Sequence, residues 1–134
     1  MLLKGNVYHL DLESSAIPWV FTEKSTLPVP VWLFGCENDG VNFIYTFGGF
    51  SGADEAQASP VDTIQKYDIT ANTWSQLSSP VLSQAGPART ARAKLDMVWI
   101  LVMGTSPKVD LFEMGTETLT PVDPDLNLPS GNKH

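Results

Sequence analysis

Two stretches of this chain repeat one another, and that repeat limits the fold more than any single residue. Phe43-Ile44-Tyr45-Thr46-Phe47-Gly48-Gly49 aligns with Val98-Trp99-Ile100-Leu101-Val102-Met103-Gly104 at an offset of 55. Residues 64–74 align with residues 109–119 at an offset of 45. The difference falls in residues 51–60, a small, polar, acidic stretch that reads as a surface loop, where insertions are tolerated. A looser third echo lies near the start: Tyr8-His9-Leu10-Asp11-Leu12, then Trp19, against Lys66-Tyr67-Asp68-Ile69, then Trp74. A unit of about 50 residues that recurs in this way cannot bury its apolar face alone and must stack on its neighbours.

Each unit reads as strands. The apolar segments are short, rich in β-branched and aromatic residues and separated by turn residues, and no stretch holds a 3.6-residue apolar period for three turns. Strands are expected at residues 7–12 and 19–22, joined by a turn over 13–18, with a proline-bearing connector at 26–30. Residues 31–36 and 42–48 form a hairpin around Glu37-Asn38-Asp39-Gly40, because Asp-Gly marks a tight turn. A second hairpin joins 63–69 to 73–77 around Thr70-Ala71-Asn72, and residues 78–88 form a loop. Residues 89–94 turn through Leu95-Asp96 into Met97-Val98-Trp99-Ile100-Leu101-Val102-Met103. That run is apolar on both alternating faces, which predicts a strand covered on both sides. Strands at 108–113 and 116–122 follow, then a polar tail over 123–134 that should fray.

An apolar strand ending in glycine, a variable loop, an aromatic-acidic strand, a tight turn and a Trp- or Leu-bearing strand, with a leading strand such as 31–36, make four strands per unit. Four strands in about 50 residues describe a propeller blade. Phe47-Gly48-Gly49, Tyr67-Asp68 and Asn72-Thr73-Trp74 together resemble the kelch repeat, in which a double glycine ends the second strand, a tyrosine lies on the third and a tryptophan on the fourth. The resemblance implies an all-β fold of kelch-type β-propeller blades, four-stranded antiparallel sheets in an incomplete ring. It divides the chain into a half blade (residues 1–23, outer two strands, with Trp19), a complete blade (24–79), a divergent blade (80–123) and a polar tail (124–134). The divergent blade keeps Gly104 but has Met103 for the first glycine and Leu119 for the tryptophan. Closed propellers need roughly four to eight blades. The chain is therefore expected to be a piece of a longer propeller, to assemble with copies of itself, or to be a structural remnant. The remaining blades or self-association are expected to cover its open faces.

Charge and chemistry narrow the function. Eight basic against fifteen acidic side chains give a net charge of −7, and the basic residues are scattered, which argues against nucleic acid and anionic membrane as partners. No apolar run approaches the roughly 20 residues of a membrane span. Cys36 is the single cysteine, so no intrachain disulfide forms. With no apolar leader at the start, an intracellular, cytoplasmic location is expected. His9 and His134 are the two histidines, no Gly-x-Ser-x-Gly stretch occurs, and Gly48-Gly49 lacks the Lys-Ser or helix of a phosphate loop. No catalytic residue, metal ligand or cofactor is assigned, and Cys36 is expected to be an ordinary buried or half-buried thiol. Asp54 and Glu55 in the long loop are expected to be solvated carboxylates.

The resemblance implies a non-catalytic protein-interaction module or scaffold, since kelch proteins act mostly by binding other proteins. The partner-binding surface is expected on residues 51–60, with Asp54 and Glu55, and on residues 78–89, with Arg89 and Arg92 at the head of an inner strand facing an acidic partner. The rival class implied by the same resemblance is a fragment of a galactose-oxidase-like or other sugar-active enzyme.

Overall fold

The computed structural model describes residues 5–12, 20–104 and 106–122. The strands are β1 (Val7–Leu10), β2 (Phe21–Lys24), β3 (Gly35–Asn38), β4 (Phe43–Phe47), β5 (Phe50–Ser51), β6 (Ser59–Pro60), β7 (Ile64–Asp68), β8 (Thr73–Gln76), β9 (Ala88–Lys94), β10 (Met97–Val102), β11 (Lys108–Glu113) and β12 (Thr118–Val122). Two four-stranded sheets dominate, ordered β3-β4-β7-β8 and β9-β10-β11-β12. Every pairing within them is antiparallel, so each is a meander of successive neighbours. β1 and β2 pair as a hairpin, and β5 pairs with β6 beyond the end of β4.

Turn chemistry places the strand ends. The Asp39 carboxylate accepts backbone N–H bonds from Val41, Asn42 and Phe43 at 2.9 Å each, while Gly40 takes φ +76° between β3 and β4. Asp68 accepts the Ala71 N–H at 2.9 Å after β7 and the Asn42 side-chain amide at 2.8 Å, tying the β7–β8 turn to the β3–β4 turn.

The two large sheets pack face to face. Tyr45, Phe47 and Ile64 from one meet Val98, Ile100, Val102, Phe112 and Met114 from the other. The Phe112 ring stands edge-on to both Tyr45 and Phe47, with centroids 5.4 Å apart in each pair, an arrangement that ring quadrupoles favour. At the rim of this seam Lys66 bridges to Glu117 at 2.9 Å and lies over the Phe43 ring at 4.0 Å. The Tyr45 hydroxyl donates to the Met114 carbonyl at 3.2 Å or to Glu117 at 3.0 Å. Burial first, and then the Glu117 carboxylate, push its ionisation far above the ordinary phenol value, so it stays a donor. The first strands of the two sheets run side by side: the Thr90 hydroxyl donates to the Cys36 carbonyl at 3.1 Å, and Ala88 N–H donates to the Leu33 carbonyl at 3.1 Å. Two four-stranded sheets that share a facial seam and touch through their first strands form an incomplete ring of blades.

Several sequence expectations shift. The first strand of the β3–β8 sheet is Gly35–Asn38, not 31–36, because Leu33 adopts φ +56° and breaks the extended run; Trp32 forms only a bridge to Phe50. The first hairpin strand, Val7–Leu10, ends before the expected residue 12, and the second, Phe21–Lys24, lies two residues later than the expected 19–22; Trp19 and the tail 124–134 lie outside the described residues. Residues 51–60 are not wholly irregular: they hold most of the β5–β6 ladder and a 3-10 turn at Glu55–Gln57.

The largest correction concerns the repeat's phase. The ladders pair Phe43 with Asp68 and Met97 with Glu113. With Asp68 and Glu113 equivalent, Met97 matches Phe43, Trp99 matches Tyr45, and Leu101 matches Phe47, one residue off the sequence alignment. Tyr45 is 1% and Phe47 0% exposed, whereas Trp99 and Leu101 are each 40% exposed. The apolar run of β10 is thus covered on one face, by the neighbouring blade, and open on the other. The expectation that both faces are covered does not hold among the described residues.

Candidate functional site

Both loops singled out by the sequence reach one end of the blades and are tied together there. Gly49 N–H donates to the Gly86 carbonyl at 2.7 Å, Gly86 N–H to the Val61 carbonyl at 3.1 Å, and Leu82 N–H to the Asp62 carbonyl at 3.0 Å. Leu82, 3% exposed, anchors the second loop in the core. The loop surface therefore sits on a fixed base. Asp54 caps the 3-10 turn by accepting the Gln57 N–H at 3.0 Å, and Glu55 stands exposed in its first turn.

The two arginines part company. Arg89 is exposed at the loop end of β9, its guanidinium donating to the Ala88 carbonyl at 3.0 Å. Arg92 lies three residues further along, about 10 Å at strand rise, near the opposite end. There it donates to the carbonyls of Asn38 and Leu95 and faces Glu37 at 3.6 Å. Arg92 clasps the two blades together, and Arg89 alone stands at the loop surface.

The motif residues fall into two groups. Gly48 and Gly49 follow β4 with φ +60° and +102°, and a Cβ on Gly49 would sit 2.6 Å from the Trp32 carbonyl oxygen. Only glycine meets both demands. Gly104 carries no positive φ, and the three atoms nearest to a Cβ there all belong to the Gln84 side chain, so it does not do the work of Gly49. Tyr67 and Trp74 stack at 4.9 Å on the other face of the β3–β8 sheet; the Tyr67 hydroxyl donates to the Asn72 side chain at 2.7 Å, and the Trp74 indole donates to the Ser25 carbonyl at 2.9 Å. Trp74 thereby ties its blade to the connector behind the β1–β2 hairpin. Trp74→Ala is expected to cost about 2–4 kcal/mol, from lost aromatic burial and one hydrogen bond, and to loosen that hairpin. Urea unfolding checks it, and a loss under about 1 kcal/mol removes the indole from the seam.

Sequence reasoning missed two buried polar side chains. Gln65, 1% exposed, accepts the Val29 N–H and donates to the Val29 carbonyl, both at 2.9 Å. Asp110, 0% exposed, accepts the Ser83 N–H at 2.9 Å and the Ser83 hydroxyl. Both lie near the start of the third strand of their sheet, second in β7 and third in β11, and both grip the connector leading into their own blade. The signal was present, since the 45-residue offset aligns the two polar residues with each other, each directly after a β-branched apolar one, Ile64 or Val109. Asp110→Ala removes the buried carboxylate that takes both the Ser83 N–H and its hydroxyl and is expected to cost about 1–3 kcal/mol, read as a lowered thermal midpoint.

Cys36 is exposed, not buried, because it points away from the core seam into a cavity of about 560 Å³ that Ile44, Thr46, Tyr67 and Trp74 also line. The apolar wall around it, and then Glu37, raise its thiol above the ordinary value. His9 is exposed on β1. Among the described residues no three of His, Cys, Asp and Glu gather where one metal ion would bind. No helix among them is long and apolar enough to cross a membrane.

The turn carboxylates carry a pH dependence. At Asp39 slight burial opposes ionisation, but the Phe43, Val41 and Asn42 N–H groups outweigh it and hold the carboxyl below its ordinary value. At Asp68 the Ala71 N–H, then the Asn42 amide, do the same. A depressed folded value means stability that is present above the unfolded carboxylate value, about pH 4, and lost as pH falls through the folded one. Wild-type stability is therefore expected to drop between pH 5 and pH 3 by more than that of Asp39→Asn, measured by urea midpoints.

Four-stranded antiparallel meanders packed face to face, joined through their first strands, define a protein of propeller blades. Residues 44–80, which run from β4 to just beyond β8, match the kelch motif, so this blade is similar to a kelch repeat, and the all-strand arrangement of four-stranded antiparallel sheets is consistent with a partial kelch propeller. No curated protein matches the chain.

Proposed function

We propose that this chain is a non-catalytic protein-binding module whose recognition surface is the loop end of the blades. Kelch repeats commonly mediate protein–protein interaction, and the supporting observation is that residues 49, 61–62, 82 and 86 lock the two loops to each other over a packed β core. A surface fixed before binding loses little conformational entropy on association. Asp54 and Glu55 offer negative charge and Arg89 positive charge on that surface, so the partner is a protein with its own mixed polar patch. The repeat units run over residues 1–23, 24–79 and 80–123, and Gly48, Gly49, Tyr67, Asp68 and Trp74 hold the kelch blade in shape.

The test is cross-linking capture in cells with wild-type chain against two variants, Arg89→Glu and a Gly-Ser replacement of residues 53–58. Both leave the blade seam intact. A partner lost from both variants supports the reading, and partners retained by both overturn it. Copper-dependent production of hydrogen peroxide from a sugar alcohol by the purified chain would overturn it in favour of an enzyme.

A further inference from the structure

The ladders make Phe43, the first residue of β4, equivalent to Met97, the first residue of β10. Two residues earlier stand Val41 and Leu95, so the same place in each blade carries an aliphatic side chain at the turn between the first two strands. Val41 is 89% exposed and Leu95 81%, and neither belongs to the core cluster. The turns do not need these side chains. Asp39 and Gly40 shape the first one, and Val41 contributes only its backbone N–H. In the second, the Leu95 carbonyl accepts from Arg92, and the Asp96 carbonyl accepts the Met114 N–H at 2.7 Å. Gly, Asn, Asp and Ser suit turn positions better than Val or Leu. One exposed aliphatic residue is ordinary on a protein surface; one at the same turn in both blades is a pattern. Arg92 also sets the two side by side. Its guanidinium donates to the Asn38 and the Leu95 carbonyl, one from each turn, and two acceptors on one such fork lie within about 7 Å of each other. This is the end of the blades opposite the loop surface. A neighbouring blade packs on a sheet face, as across the seam, and leaves the turn tips uncovered.

The charge around the tips selects what they receive. The turns at this end and the strand ends beside them (residues 37–42, 66–73, 92–97 and 113–118) carry six carboxylates against three cations, Lys66, Arg92 and Lys94. Two of the cations are taken, Lys66 by Glu117 and Arg92 by Glu37. Asp96 directly follows Leu95, and Asp39 lies two residues before Val41. We propose that the Val41 and Leu95 tips are a docking site for a basic amphipathic segment of another protein. Its apolar face lies on the two aliphatic side chains, and its Lys or Arg residues lie over the acidic rim. Burial of the tips supplies affinity, and charge complementarity orients the segment and speeds its arrival. The same rim disfavours the other occupants. A second copy of a chain of net charge −7 and an anionic membrane both bring like charge to it.

The probe is a fluorescein-labelled helical peptide of leucine and lysine, with leucine at i, i+3, i+4 and i+7. With the full chain we expect saturable binding by anisotropy that weakens as salt rises. The double variant Val41→Ser, Leu95→Asn should bind at least tenfold more weakly, with each single variant in between. Serine and asparagine are turn formers, so the urea midpoint of the double variant should equal or exceed that of the wild type. Weaker binding then reports the tips and not the fold; a lowered midpoint would make the tips structural and overturn the proposal. A peptide of the same composition with its leucines scattered, and one with glutamate for lysine, should each bind at least tenfold more weakly than the probe. Equal binding of the probe by wild type and double variant overturns the proposal, and so does equal binding of the scattered peptide. Binding to phosphatidylcholine vesicles that the double variant loses, with no binding of the peptide, overturns it in favour of a membrane. A dimer in light scattering that the double variant abolishes overturns it in favour of a second copy. Arg89→Glu lies at the other end of the blades and should leave probe binding unchanged, so this proposal and the loop-surface reading stand or fall separately.

Discussion

Phe112→Ala is expected to cost about 3–5 kcal/mol, the largest effect of any single side-chain truncation in this chain. Phe112 is 0% exposed and, among the described residues, is the one ring that contacts both Tyr45 and Phe47 across the blade seam. Truncation removes two edge-to-face contacts and leaves a void between sheets, where neither backbone can collapse without breaking its own ladder. Domains of this size hold roughly 5–15 kcal/mol in all, so the variant should be largely unfolded near 37 °C. Near-ultraviolet circular dichroism and urea unfolding read the loss. Phe112→Leu, which keeps most of the volume, should recover more than half of the stability. A cost below about 1 kcal/mol for the alanine variant would mean that the two sheets do not share a core.

Gly49→Ala is expected to be nearly as damaging, for a different reason. The backbone there sits at φ +102°, where an L side chain is strained, and the new Cβ would lie 2.6 Å from the Trp32 carbonyl oxygen. Strain of about 1–3 kcal/mol adds to overpacking of about 1–3 kcal/mol. The obstacle is backbone, so no rotamer change relieves it. The Gly49 N–H to Gly86 bond, which joins the two loops, should break with it. Gly104→Ala provides the contrast: its φ is ordinary and its neighbour is the flexible end of Gln84, so the cost should stay under about 1 kcal/mol. Equal losses in the two variants would remove the distinction between them.

Much of the fold was legible in the sequence because its signals are local. Asp39-Gly40 marks a turn through one carboxylate that accepts three N–H groups. The Gly48-Gly49 pair marks a chain reversal that side chains would block. Tyr67 and Trp74 mark a paired third and fourth strand, and they stand opposite each other in the ladder. The site was less legible. Arg89 and Arg92 look alike in sequence, yet Glu37 and the Asn38 carbonyl, distant in the chain, take up one of them. Gln65 and Asp110 look like ordinary strand polar residues until Val29 and Ser83 arrive from the connectors.

By itself the sequence determined the unit, its strand count, its turns and the kind of assembly it builds. The tertiary structure alone decided the phase of β10, and with it which side chains are buried and which stand open. The physical reason is the two-residue period of a strand: a slip of one residue exchanges its faces, and a run such as Met97–Val102, apolar at every position, carries no mark of which face is which. Only the cross-strand partners Asp110 and Phe112, set by the ladder with β11, fix Ile100 and Val98 inward and leave Trp99 and Leu101 facing out.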